Sequence, residues 1–260
     1  MTEIKIGVQV QPQHAPYDAM RRAWAEAEEL GADMVFTWDH FYPLNGDRDG
    51  SHHESLALQA AMAEVTERAQ IGALVMCNNY RNPQYLAAAL RTVDHISGGR
   101  LIVGIGSGWF QRDYDEYGYA FGTAGSRLRA LARDLPLFKQ RLAKLNPLPV
   151  GPMPIMIGGT GEKVTLRIVA EHADLWHGFG DADRYRAKVA ILAEHCAQRG
   201  RPVEEITAVW GIPDGKVEEA ERLREAGVTH FTVGIGGVNG RYDLGRLRDV
   251  LAWRVGLRGG

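Results

Sequence analysis

IGALVMCNNYRNPQYLAAALRTVDHISGGRLIVGIG, residues 71–106, contains a complete strand–helix–strand unit together with its punctuation. IGALVMC (71–77) is an apolar run of strand length. Asn82 stands where a helix cap belongs. Pro83 takes the first helical position, where the missing N–H costs nothing. Leu86, Leu90, Val93 and Ile96 continue an apolar stripe at helical spacing, and Gly98–Gly99 stops it. LIVGIG (101–106) is the next strand. Two strands joined through a helix lie parallel.

The same alternation extends in both directions. Ile4, Ile6, Val8 and Val10 alternate with Lys5, Gly7, Gln9 and Gln11, the period of a strand. Met20, Trp24, Ala27 and Leu30 form a helical stripe, and Gly31 ends it. ADMVFTW (32–38) reads as a strand, 43–54 as a polar loop, and Leu56, Met62 and Val65 as a second helix. Beyond the opening unit come a helix over 126–143 and a short joint with Pro147, Pro149, Pro152 and Pro154. Strands are predicted at PIMIGG (154–159), ADLWHG (173–178), ITAVWG (206–211) and HFTVGIG (230–236). Helices are predicted at 162–172, 183–199, 215–226 and 243–256. Strict alternation implies a parallel sheet, and eight units in 260 residues match a closed TIM-type (β/α)8 barrel, predicted as one domain over 1–260. An open doubly wound sheet would carry GxGxxG on its first turn; QVQPQHAP (9–16) stands there instead.

Composition narrows the function. The net charge of −2, from 30 basic and 32 acidic residues, leaves no footprint for nucleic acid or an anionic membrane surface. No apolar run approaches the ~18 residues of a membrane span. Two cysteines make no disulfide framework, and MTEIKIGVQV has no signal-peptide pattern, so a cytoplasmic protein is expected. The 31 glycines exceed the usual ~7%. VGIGSG (103–108), MIGGTG (156–161) and VGIGGV (233–238) all end strands, on the rim where barrels place their sites. Glycine there serves either turn geometry or close approach of backbone to a ligand, and three such ends in one ring favour the ligand.

Several groups could carry chemistry on that rim. Asp39–His40 follows the second strand; the imidazole can exchange a proton near neutral pH, and a carboxylate beside it can orient the ring or hold a ligand. Gly158–Gly159–Thr160–Gly161 opens a helix with free N–H groups, a candidate phosphate seat, with Lys163 as a nearby cation. Residues 109–121 hold six aromatics, of which Trp109 is the candidate to face a flat ligand and Phe121 the candidate core residue. Gln9 and Gln11 share the lumen-facing parity of the first strand, and His177 ends the sixth. His52–His53–Glu54 invites a metal reading, but adjacent residues on an extended segment point apart, and no metal site is assigned. Cys77 has no basic neighbour to activate it and reads as packing.

FTWDHF (36–41), the 80–109 stretch ending in GIGSGW, and MPIMIGGTGEKVTLRIVAEHADLW (153–176) together resemble the luciferase-like superfamily, and within it the branch that uses the deazaflavin coenzyme F420. The resemblance implies a flavin-like ring at the strand ends. It places Asp39 and His40 at the ring, Ala73, Leu74 and Val75 in a bulge behind it, and Gly106, Ser107, Gly108 and Trp109 along its edge. Gly158, Gly159, Thr160 and Gly161, with Lys163, would hold the phosphate of the cofactor side chain. His40 would share the proton that accompanies hydride transfer, with Asp39 holding its geometry. Gln9, Gln11, Trp109 and His177 would line the substrate pocket. FMN-using relatives often carry an Arg on the turn that reads Gly106–Ser107–Gly108 here, which tilts the choice to F420. Sugar-phosphate dehydrogenases of the branch carry a Glu where Trp109 stands. The resemblance also suggests a homodimer and a small-molecule substrate. The alternatives are an FMN-dependent monooxygenase fed by a separate reductase, and a non-catalytic deazaflavin- or flavin-binding protein.

Overall fold

In the computed structural model, which describes residues 3–258, the alternation closes into a barrel. The elements run β1 (Lys5–Val10), α1 (Tyr17–Glu29), β2 (Met34–Thr37), α2 (Ser55–Val65), β3 (Gln70–Ala73), β4 (Met76–Cys77), α3 (Pro83–Ser97), β5 (Leu101–Gly106), α4 (Gln111–Tyr117) and α5 (Ala124–Leu142). They continue with β6 (Ile155–Gly158), α6 (Thr165–His172), β7 (Leu175–Phe179), α7 (Ala182–Ala197), β8 (Thr207–Gly211), α8 (Val217–Glu225), β9 (His230–Ile235), β10 (Gly237–Val238), β11 (Arg241–Tyr242) and α9 (Gly245–Arg258). β1 lies between β2 and β9, and the parallel order passes through β8, β7, β6 and β5 to reach β3 and β4. No helix among the described residues is long and apolar enough to cross a membrane.

Strand parity sorts the side chains into two layers. Ile6, Val8, Ile71, Val103, Trp176 and Phe231 point outward into the core beneath the helices. Met34, Phe36, Leu74, Ile102, Met156 and Val209 fill the barrel interior and are at most 8% exposed. Burying an apolar side chain of this size contributes about 1.5–3 kcal/mol, so both layers favour closure. The opening unit behaves as its residues dictate. The Asn82 side chain accepts from the N–H groups of Gln84 and Tyr85, and Gly98 ends α3 in the left-handed conformation. Arg100 then reaches back to the carbonyls of Ala63, Thr66 and Ala69, tying down the end of α2.

Three expectations change. The predicted strand 71–77 is two pieces, because four steps from Gly72 to Met76 face only three from Ile102 to Ile105, which makes a bulge. The Leu74–Val75 peptide within it is cis. The bulge turns the Ala73 carbonyl against β5, where a Cβ on Gly104 would lie 1.9 Å from that oxygen. The helix predicted from 162 begins at Thr165, since 162–164 form a turn after the glycines. The aromatic stretch 109–121 contains the short helix α4, closed by Gly118 in the left-handed conformation. Phe121, expected in the core, is only partly buried and lies under the Arg127 guanidinium, 3.9 Å away.

Candidate active site

The C-terminal ends of the barrel strands surround a cleft of about 460 Å³. Asp39, His40, Leu74, Val75, Gly106, Ser107, Gly108, Trp109, Gly158, Gly159, Thr160, Gly161, His177 and Gln9 all lie in its wall. Residues drawn from six separate loops or strand ends in the sequence are thus brought to one place.

Three predicted positions fall elsewhere. Ala73 is fully buried and faces the outer core. Gln11 lies one residue past β1; its backbone is fixed by Ile235 and the Tyr242 hydroxyl, and its side chain lies against Gly236, outside the wall. Lys163 is exposed on the turn before α6 and is not part of the wall. A cation does stand at the glycine loop, but it is Arg184 from the first turn of α7, whose guanidinium donates to Thr160 Oγ1 at 3.2 Å. Asp39 lies in the wall but in another role. It does not orient His40. Its buried carboxylate takes two hydrogen bonds from Arg81, at 2.7 and 2.9 Å, and one from the Cys77 N–H at 2.9 Å. Asp39 therefore anchors the strand beyond the bulge, and the paired carboxylates of Asp39 and Glu54 hold Arg81 well above the ordinary guanidinium range.

The group that orients His40 is Asp113, in the first turn of α4. Its Oδ2 lies 2.7 Å from His40 Nδ1 and accepts from the Tyr80 hydroxyl at 2.9 Å. Its Oδ1 accepts from the N–H groups of Phe41 and Tyr42, both at 3.1 Å. An ionised carboxylate can only accept, so Nδ1 carries the proton and Nε2 of the neutral ring keeps its lone pair. Trp109 and Phe110 flank the ring edge-on, at 5.8 and 5.5 Å. Trp109 is itself 63% exposed, so its face is open to whatever occupies the mouth.

The glycines on the rim have a more specific function than close approach to a ligand. A Cβ on Gly106 or Gly158 would come within 2.9 Å of Val75 Cγ2, so these two glycines make the slot into which Val75 fits. At Gly108 a Cβ would lie 2.1 Å from the Tyr114 hydroxyl. The room these residues leave is filled from within the protein, and Val75 becomes part of the cleft wall. The N–H groups of Thr160, Gly161 and Glu162 make no hydrogen bond within the described residues, and they stand just before α6.

The remaining candidates settle into structural positions. His52 Nε2 accepts from the Trp38 indole at 2.9 Å, and burial lowers its pKa to about 4. Glu54 caps α2 through the Ala57 N–H and pairs with Arg81. Cys77 packs against the Tyr114 hydroxyl, and burial pushes its thiol up to about 11. Gln9 Nε2 donates to the Leu74 carbonyl at 2.6 Å, fixing the bulge from the barrel floor.

Residues 1–242 match the family of luciferase-like monooxygenases. An F420-dependent glucose-6-phosphate dehydrogenase of Amycolatopsis mediterranei is 35% identical over 146 residues, 55% of this chain and 39% of that protein. Its counterpart in Rhodococcus erythropolis is 33% identical over 183 residues, 62% of this chain and 53% of that protein. The chain thus spans about half, or less, of the length of these curated relatives. Among solved structures, an F420-dependent secondary alcohol dehydrogenase in complex with an F420–acetone adduct superposes with a TM-score of 0.84. It covers 97% of this chain and 99% of that one at 15% identity, a likeness of fold.

Proposed function

Since the chain belongs to the luciferase-like monooxygenase family, we propose that it is an oxidoreductase that binds coenzyme F420 in the 460 Å³ cleft and exchanges a hydride with a small organic substrate. The observation that carries this reading is the pairing, in one cleft, of a histidine of fixed tautomer with an unused row of backbone amides. The donor chemistry fits a flat ring with an anionic side chain. Thr160, Gly161 and Glu162 offer N–H groups, and Arg184 adds a positive charge beside Thr160. Val75 and Leu74 would give a bound ring an apolar wall, and the exposed Trp109 would be available to lie against it. The relatives' names agree on F420 as the carrier.

When bound, the deazaflavin supplies a two-electron hydride carrier, which protein side chains lack. The chain's own residues handle the proton. In the oxidising direction His40 Nε2 takes the proton from the substrate hydroxyl; in the reducing direction the protonated ring returns it to the nascent alkoxide. Asp113 is the positioning residue for that ring, and Asp39 holds the bulge that forms the wall. The test is a fluorescence and absorbance titration with F420 and with FMN. Saturable, micromolar binding of F420 with weaker binding of FMN is expected. Saturation by FMN alone would replace this reading with the flavin monooxygenase one, and binding of neither would remove it.

A further inference from the structure

The turn between β6 and α6 is held by its carbonyls. That of Gly159 accepts from the Trp176 indole at 2.8 Å, that of Gly161 from the Leu166 N–H at 3.0 Å, and that of Glu162 from His195 Nε2 at 2.8 Å. These peptides are trans, and a trans peptide is planar, with its N–H opposed to its C=O. A donor fixed on a carbonyl therefore also fixes the direction of the next residue's N–H. Trp176 sets the Thr160 N–H in this way, Leu166 sets that of Glu162, and His195 sets that of Lys163. None of these three N–H groups makes a hydrogen bond among the described residues. Trp176 is fully buried in the core beneath the helices, against Trp210 and Tyr185, so the Thr160 N–H is turned away from the core. Thr160 lies in the cleft wall, whereas neither Trp176 nor His195 does.

Arg184, Lys188 and His195 recur at spacings of four and seven, so one face of α7 lies along the turn. Arg184 donates to the Thr160 hydroxyl, Lys188 pairs with the Glu162 carboxylate, and His195 takes the Glu162 carbonyl. The Lys188 pair is open to water at its Glu162 end and contributes little. The His195 contact is directional. A carbonyl only accepts, so Nε2 carries the proton, and Nδ1 is left buried with no partner among the described residues. An apolar ring would fill the same place without that cost, so the Nε2 contact is what the imidazole adds. Resting on the reading of the larger cleft as the F420 site, we propose that Trp176 and His195 are positioning residues of its phosphate seat: they hold the carbonyl side of the turn from outside the cleft and keep its N–H groups set for the anion before it arrives. A turn already fixed in its receiving shape loses no freedom on binding, and a carbonyl that accepts a hydrogen bond makes the N–H of the same peptide a stronger donor.

Inorganic phosphate is the probe. Protein labelled with 15N-threonine is titrated with it and the Thr160 amide resonance is followed, assigned by its loss in Thr160→Ser; F420 is titrated separately by fluorescence. Saturable movement of the Thr160 signal by phosphate is expected in the parent. His195→Phe, which fills the place of the ring and removes the donor, should weaken both phosphate and F420 about 3- to 10-fold, the worth of one net hydrogen bond. His195→Gln, whose amide keeps a donor near the place of Nε2, should restore both to within about 2-fold of the parent. Trp176→Phe should weaken both by a factor similar to that of His195→Phe. A merely structural role for His195 would lower the melting temperature of His195→Phe and leave the affinity of the folded protein at the parent's value. Parental affinity in His195→Phe, an equal loss in His195→Gln, or a Thr160 signal that phosphate does not move overturns the proposal. A parent that binds phosphate at Thr160 but not F420 removes the cofactor reading alone, so the two failures are told apart.

Discussion

Asp113→Asn isolates the tautomer of His40 from everything else in the cleft. The buried carboxylate divides its work: Oδ1 accepts from the Phe41 and Tyr42 N–H groups, and Oδ2 accepts from His40 Nδ1 and the Tyr80 hydroxyl. The asparagine oxygen keeps the backbone pair only if its NH2 takes the place of Oδ2. That NH2 can only donate, so it donates to His40 Nδ1 and moves the ring proton to Nε2. The neutral ring then has no lone pair for a substrate proton. General base catalysis contributes ~10²–10⁴-fold, and kcat in the alcohol-oxidising direction should fall by that factor. The substitution turns four charge-assisted contacts into neutral ones, so a loss of stability of about 1.5–3 kcal/mol or more is expected. F420 affinity should change by less than ~3-fold, because Asp113 lies outside the cleft wall. Single-turnover absorbance of the cofactor measures the hydride step, and a thermal melt checks the fold. A folded variant turning over within ~3-fold of the parent would refute the assignment of His40 as the base.

Arg100→Ala removes five hydrogen bonds, to Ser97, Ala63, Ala69 and, twice, Thr66, and should lower stability by about 3 kcal/mol or more in urea titration without altering cofactor affinity. Burial lowers His52, His177 and His230 to about 4, against about 6.5 in an unfolded chain. Between those values the unfolded chain binds protons that the fold refuses, so stability is full above pH 6.5 and is lost as pH falls toward 4. The slope should be on the order of 1 kcal/mol per pH unit for each ring, and His230→Gln should flatten it by roughly a third. Gly104→Ala should prevent folding or cost several kcal/mol, since its Cβ meets the Ala73 oxygen, whereas Gly98→Ala, with nothing within 4 Å, should cost only about 1 kcal/mol in a denaturation series. Arg184→Ala should weaken F420 binding by about 3- to 30-fold, and less so at high salt.

The barrel was legible because its signals are local: Asn82–Pro83 and Gly98–Gly99 bracket a helix whatever surrounds it, and strand periods survive without context. The break in 71–77 left no such signal. Every residue from Ile71 to Cys77 suits a strand, and the bulge comes from the register against β5. His40 and Gly158–Gly161 could be placed on the rim from their position after a strand. Asp113 could not be told from Asp115 or Glu116 in DYDEY, because only the packing of α4 on the loop after β2 decides which acid is buried. Arg184 and His195 were invisible for the same reason. Each acts on a partner brought near by barrel closure, at Thr160 and Glu162.

The seat of Val75 between Gly106 and Gly158 has a consequence for how this protein can change by descent. The three codons lie far apart, yet they behave as one locus. A side chain added at either glycine displaces Val75 and with it the wall of the cleft, so it is viable only in a lineage whose residue 75 has already shrunk. A larger residue at 75 finds both neighbours already at the minimum size and can grow only into the cleft. Substitutions here should therefore enter in a fixed order, residue 75 first, and libraries that vary either glycine alone should return almost only the parent.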